Sequence, residues 1–306
     1  MRVRIFLFAA IAMLHASMAG AWTRPGHMVT AAIAWHEIAE QHPELLLPIG
    51  KMLLAHPDRG PFQIAIDRTT GQEQARRLFL ECARWPDDVR GSLFDHPTWH
   101  YSLSAIGAKP TGRIADGLQG DAIEAFTLAF HTLSNTKAEL SDRAQALCWM
   151  LHVAGDIHQP LHTAQSFSAD YPEGDGAGGK RFVKDPLTGE AISLHWLWDD
   201  SVNRSGAVAD VDARAKAILD KLPRSSLIEL KSSAKPSDFA TWAREESLPL
   251  AQFLVFRADL VTAQAAEKAA PVADKYWTDV QRAAERRVAI AGYRIGDLVI
   301  AALAGG

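Results

Sequence analysis

The chain has 306 residues, 48% of them hydrophobic and 22% charged. That is enough to bury one large core and excludes a disordered chain. The formal net charge is −4, and without Arg2 and Arg4 near the start it becomes −6. A protein that holds nucleic acid by coating phosphates with cations is basic, so any phosphate affinity here must be local.

The first segment reads as an export signal. Arg2 and Arg4 form a positive start, Ile5 to Leu14 is an apolar run too short to span a bilayer, and Ala19-Gly20-Ala21 is a small-residue cleavage site. The mature chain then begins at Trp22, giving a cleaved segment 1–21 and a single domain 22–306. An uncleaved anchor is the other reading, disfavoured by the short apolar run. Secretion or periplasmic export is the expected location.

Helical periodicity dominates the rest of the chain. It predicts helices over His27–Gln41, Gln72–Trp85 and Gly120–Leu133. A fourth runs from Ser141, as N-cap, to Asp156, with Pro160 limiting its extent. Two long helices come next, over Asp238–Leu254 and Ala273–Leu303. The apolar stretch from Val288 is interrupted by Tyr293, Arg294 and Asp297, which suits an amphipathic helix rather than a membrane span. Strand signals are few: Arg181–Val183 and Ala191–Leu194 around Asp185-Pro-Leu-Thr-Gly189 suggest one small hairpin. Residues 167–180, crowded with Gly174, Gly176, Gly178 and Gly179, read as a loop. The fold class is all-α, one mainly helical domain with a small β-hairpin.

The 12 histidines are unevenly spread. His152, Asp156, His158 and His162 fall within one half-apolar stretch. His152 and Asp156, four apart, share a helix face, a common way to present two ligands to one metal. His195 and Asp199 repeat the spacing; alone, such a pair is more often a surface contact. Trp85-Pro-Asp87-Asp88 with Arg90, Trp99-His100-Tyr101, and Trp22-Thr-Arg-Pro-Gly-His27 complete the constellation. Nitrogen and oxygen donors without thiolate suit zinc in hydrolytic sites, and so many exceed one ion's needs. A metal cluster suits phosphate-ester chemistry. Cys82 and Cys148 are compatible with a disulfide or with two buried thiols.

With these motifs, the chain resembles the zinc-dependent single-strand-specific nucleases of fungi, plants and bacteria, which share a superfamily with bacterial zinc phospholipase C. The resemblance runs from Trp22 to about Ala302 and includes Trp242-Ala-Arg-Glu-Glu-Ser247 and Ala291-Gly-Tyr-Arg294. It implies three Zn2+ ions. Asp87, His100, His152 and Asp156 would hold the first, and His162, His195 and Asp199 the second. Trp22, through its amine and carbonyl, would hold the third with His27 and a bridging Asp156. It further implies in-line hydrolysis to 5′-phosphorylated products. Asp87 would orient or deprotonate the attacking water, Arg90 would clamp the phosphate, and Tyr101 would stack on a base. Single-stranded DNA, RNA and 3′-nucleotides are the implied substrates of a monomeric enzyme. The resemblance departs at Pro86, where the family usually has Ala, at Leu103, where many members carry a base-recognising Asp, and at Lys180 in place of Asn. His158 is not a family ligand and reads as a supporting residue. His36, His42, His56, His96 and His131 carry no pattern. Two alternatives share the ligands: a zinc phospholipase C, disfavoured by Asp199, and a non-catalytic zinc-binding envelope protein, for which Arg90 and Tyr101 would be superfluous.

Overall fold

A computed structural model describes residues 22–107 and 120–304; the proposed signal segment lies outside them. Helix α1 spans Arg24–Gln41, α2 Leu46–Leu53, α3 Gln63–Arg68 and α4 Gly71–Asp88. Strand β1 is Ser104–Gly107, succeeded by α5 over Ala122–Ser134 and α6 over Leu140–Asp156. Next come β2 at Ala164–Phe167, β3 at Phe182–Lys184, β4 at Ala191–Ser193 and α7 at Leu194–Asp199. The chain finishes with α8 over Val208–Lys221, a helical rod over residues 239–255, β5 at Ala270–Pro271 and the long α9 over Asp274–Ala304. The mainly helical class is as the periodicity predicts.

Helix α1 is buried over most of its circumference because other helices flank it. Its closest partner is α9. A side chain at Gly292 would begin 2.5 Å from Ile33 Cβ, and one at Gly296 would begin 2.9 Å from Glu37 Cβ, so glycine there sets the interhelical distance. Cys82 on α4 and Cys148 on α6 are joined in a disulfide, which settles the question their spacing left open.

Several features differ from the sequence expectation, which also names no helix over α2, α3 or α8. Ser141 does not cap α6: the helix starts at Leu140 with Glu139 as its cap residue, and no side chain caps it. The ladder begins two residues earlier, with the Arg143 amide donating to the Glu139 carbonyl. Residues 239–255 are helical as expected, but two stretches, Trp242–Ser247 and Ala251–Val255, are wound as π-helix. The hairpin β3–β4 forms as expected and gains β5 as a third, parallel strand. A second, parallel pair, β1 with β2, was not expected.

Two apolar clusters organise the interior. The larger lies among the helices. The smaller gathers Leu161, Val183, Leu194, Trp198, Val255 and Tyr276 around the hairpin. The segment from the end of α6 to β2 passes from one to the other.

Candidate metal centre

Five segments converge. The first turn of α1 brings His27, the end of α4 brings Asp87, and the turn before β1 brings His100. Helix α6 and the turn after it bring His152, Asp156 and His162, and α7 brings His195 and Asp199. Every one of these side chains is buried: seven are at most 1% exposed and Asp87 is 7% exposed. Eight such polar residues left unpaired in an interior would be very costly.

Their donor atoms form three groups, each within 4.8 Å: His27–His152–Asp156, Asp87–His100–His152 and His162–His195–Asp199. The third matches the expected second zinc set. Asp87, His100 and His152 lie together as the first set requires, with Asp156 Oδ2 3.0 Å from His100 Nδ1 and 3.4 Å from His152 Nε2. The other oxygen of Asp156 lies 3.2 Å from His27 Nε2, so this carboxylate reaches two groups at once. Trp22 is fully buried beside them. Its indole donates to the Gly155 carbonyl, and the next amide, that of Thr23, donates to the Asp199 carbonyl.

The imidazoles are held from behind by backbone carbonyls. His152 Nδ1 donates to Ala83 O at 2.8 Å, His162 Nδ1 to His100 O at 2.6 Å and His195 Nδ1 to Ala177 O at 2.7 Å. A carbonyl can only accept, so each Nδ1 carries a proton, and in the neutral ring that leaves Nε2 as the ligating atom. This backing is how metal-ligating histidines are oriented. The glycine-crowded loop supplies one of these carbonyls. Gly174, Gly176 and Gly178 all have positive φ, and the doubled-back chain places Ala177 O against His195. The β1–β2 pair supplies another, since the Ser102 amide donates to His162 O and the Ser104 amide to Thr163 O, lacing the His100 turn to the His162 turn.

His162 Nε2 and His195 Nε2 then face each other at 3.1 Å. Asp199 Oδ2 lies 3.3 Å from the same His195 nitrogen, so two imidazoles and a carboxylate converge as a donor set that a cation can bind. Among the described residues, no hydrogen bond satisfies either ring nitrogen of His27, Nε2 of His100, Oδ1 of Asp156 or Oδ2 of Asp199. Orphaned buried atoms are rare, and here they point into one place. The donor set therefore fits metal ions.

The protonation balance points the same way. Burial pushes His27, His100 and His162 well below the usual imidazole value, and neighbouring histidines add to it; His152 is pushed down to about 3. Neutral imidazole is the ligating form. Burial raises Asp156 and Asp199 well above the usual carboxylate range, with Asp87 adding repulsion, while the Gln159 hydrogen bond pulls Asp199 back. Burial also raises Asp87, against the pull of His27 and Arg90.

Arg90 comes three residues after Asp87 and donates from Nη2 to its Oδ1 at 3.2 Å. Its Nε and Nη1 are buried without hydrogen-bond partners among the described residues. Tyr101 stacks on His162, with ring centroids 4.4 Å apart and planes 13° apart, so one of its faces already covers a candidate ligand. Gln159 carries no motif signal beyond lying among the ligands, yet its Nε2 donates to Asp199 Oδ1 and its Oε1 accepts from the Leu161 amide. Arg24 was also missed; it pairs with Asp88 and donates to the Asp87 carbonyl. His158 lies outside the three groups, as expected.

The S1/P1 Nuclease family model matches residues 22–304. Nuclease P1 of Penicillium citrinum and Nuclease PA3 of a Penicillium species are each 24% identical to the chain over 237 residues, 71% of this chain and 82% of theirs.

Proposed function

The chain belongs to the S1/P1 nuclease family. From that premise we propose that it is an exported phosphodiesterase using three zinc ions to cut single-stranded DNA and RNA to 5′-phosphorylated products, with 3′-nucleotidase activity. The observation that carries the reading is the convergence of three buried His/Asp donor groups, with Asp and His atoms among them that no hydrogen bond satisfies among the described residues. When bound, the metals would polarise the phosphoryl oxygens and make water nucleophilic at neutral pH. Asp87, His100, His152 and Asp156 would hold one ion, and His162, His195 and Asp199 another. The third would sit on His27, Asp156 and the amine and carbonyl of Trp22. Nitrogen and carboxylate donors without thiolate favour zinc.

The chain's own residues have distinct tasks in this scheme. Asp87 is the least buried of the carboxylates and holds or accepts the proton of the attacking water. Arg90 has two buried N–H groups left to spend on a phosphate oxygen, where a low-dielectric setting strengthens the contact. Tyr101 is only partly covered and offers its remaining surface to an unstacked base, which a duplex resists releasing.

Export is supported by the pattern of residues 1–21 and by the Cys82–Cys148 bond, since structural disulfides persist in oxidising compartments. Among the described residues no helix is long and apolar enough to cross a membrane. The test is hydrolysis of single-stranded DNA, duplex DNA and phosphatidylcholine by zinc-loaded protein and by Asp87→Asn. Cleavage confined to single strands and lost in the variant is expected. Faster turnover of the lipid would overturn the nuclease assignment, and zinc uptake without turnover of any substrate would leave only a metal binder.

A further inference from the structure

Behind the turn at the end of α6 lies a polar cluster that the reaction does not use. Arg294 donates to Glu246 from Nη1 at 2.8 Å and Nη2 at 2.6 Å, and Arg287 donates to the same carboxylate from Nη1 at 2.6 Å. The two arginines are 3% and 5% exposed. Two buried guanidiniums on one carboxylate are costly unless the other donors are also satisfied.

Those donors are spent on the turn. Arg287 Nε donates to the His158 carbonyl at 3.1 Å, and its Nη2 to Ser247 Oγ, which in turn donates to the Ile157 carbonyl. Arg294 Nη1 reaches His158 Nε2 at 2.9 Å, and His158 Nδ1 donates to the Ala154 carbonyl at 2.7 Å. These three carbonyls come at the end of α6, where the helix leaves its last acceptors without partners. Cationic donors there also oppose the negative end of the helix dipole. On the other side of the turn, Gln159 hydrogen-bonds Asp199, and His162 comes three residues later.

We propose that Glu246, acting through Arg287 and Arg294, is a positioning residue for the metal centre. It fixes the turn 157–159, and through it the His162–His195–Asp199 group. The His27–His152–Asp156 group depends on it less, because His27 and His152 lie within α1 and α6 and only Asp156, the last residue of α6, borders the turn. The inference rests on the reading that these residues hold metal.

The experiment is an EDTA titration of zinc-loaded full chain, comparing wild type with Glu246→Gln and Glu246→Ala, with melting temperatures recorded in parallel. One equivalent of zinc should leave the variants at an EDTA activity roughly tenfold or more below that which strips wild type, the remainder being held normally. Added zinc should restore cleavage without restoring the melting temperature of the metal-free variant. Ser247→Ala removes two links of the chain without touching a charge, and should show a smaller shift in the same step if the Glu246 variants do not fold. Variants that melt lower but release zinc as wild type does would make the cluster merely structural and overturn the proposal. A wild-type chain that takes up no zinc would remove the proposed function along with it.

Discussion

Gly155 offers a sharp test of how tightly the centre is built. It is the penultimate residue of α6, and replacing a helical glycine with alanine ordinarily stabilises by about 1 kcal/mol. Here the added Cβ would stand 3.0 Å from His27 Nδ1 and 3.2 Å from its Cε1. The imidazole cannot simply retreat: its ring lies over His152, centroids 3.9 Å apart, and its Nε2 faces Asp156 at 3.2 Å. Relief requires a shift of a few tenths of an ångström, and overpacking of this kind costs about 1–3 kcal/mol. The two effects offset in stability, so Gly155→Ala should melt within about 4 °C of wild type. They do not offset at the metal, where ligand positions are held to about 0.2 Å. Isothermal titration of zinc into metal-free protein should show the ion at His27 weakened while that at His162–His195 is unchanged. A Gly155→Ala variant that melts higher by the full helix-propensity gain and binds zinc as wild type does would refute the packing argument.

Other expected outcomes rest on the same structure. The Cys82–Cys148 bond closes 66 residues, and chain entropy sets its contribution at roughly 4 kcal/mol; the Cys82→Ala/Cys148→Ala protein should unfold at correspondingly lower denaturant, and an unchanged midpoint would contradict this. His56 is packed against Trp85, and burial pushes its pKa from 6.5 down to about 4, partly opposed by Asp58. A depressed folded pKa means the unfolded chain takes up the proton first. Stability is therefore whole above about pH 6.5 and falls by about 3 kcal/mol on the way to about pH 4. His56→Gln should flatten that part of the stability–pH curve, and parallel curves for the two proteins would exclude the effect. Finally, one extra residue before Trp22 removes the free amine proposed as a ligand. Such a chain should bind the ion at His27 more weakly, and full activity with three zincs would show that the amine takes no part.

Much of this architecture is legible in the sequence because it is local. The spacing of four between His152 and Asp156, and between His195 and Asp199, places each pair on one helix face whatever the tertiary structure. The long helices announce themselves by period, and the hairpin by its Pro-Leu-Thr-Gly turn. What the sequence does not show is long-range and carried by backbone. The carbonyls of Ala83, His100 and Ala177 that aim three imidazoles have no side-chain signature. The parallel β1–β2 pair joins segments some 60 residues apart, and each strand is only four residues long, too short for a pattern to stand out. Glu246, Arg287 and Arg294 lie far from the ligands in sequence, and only the packing of α9 against the 239–255 rod brings them to the turn after α6. Ser141 shows the converse error, in which a good capping residue is overruled by a helix that starts two residues earlier.

The most direct test of the central claim is zinc content and single-stranded DNA hydrolysis, measured on one preparation of the chain beginning at Trp22. About three zincs per chain, with cleavage abolished by chelator and restored by zinc, is the predicted result. Cleavage that persists after complete removal of metal, or a folded chain that retains no zinc, would contradict the claim that these eight buried side chains exist to hold a catalytic metal cluster.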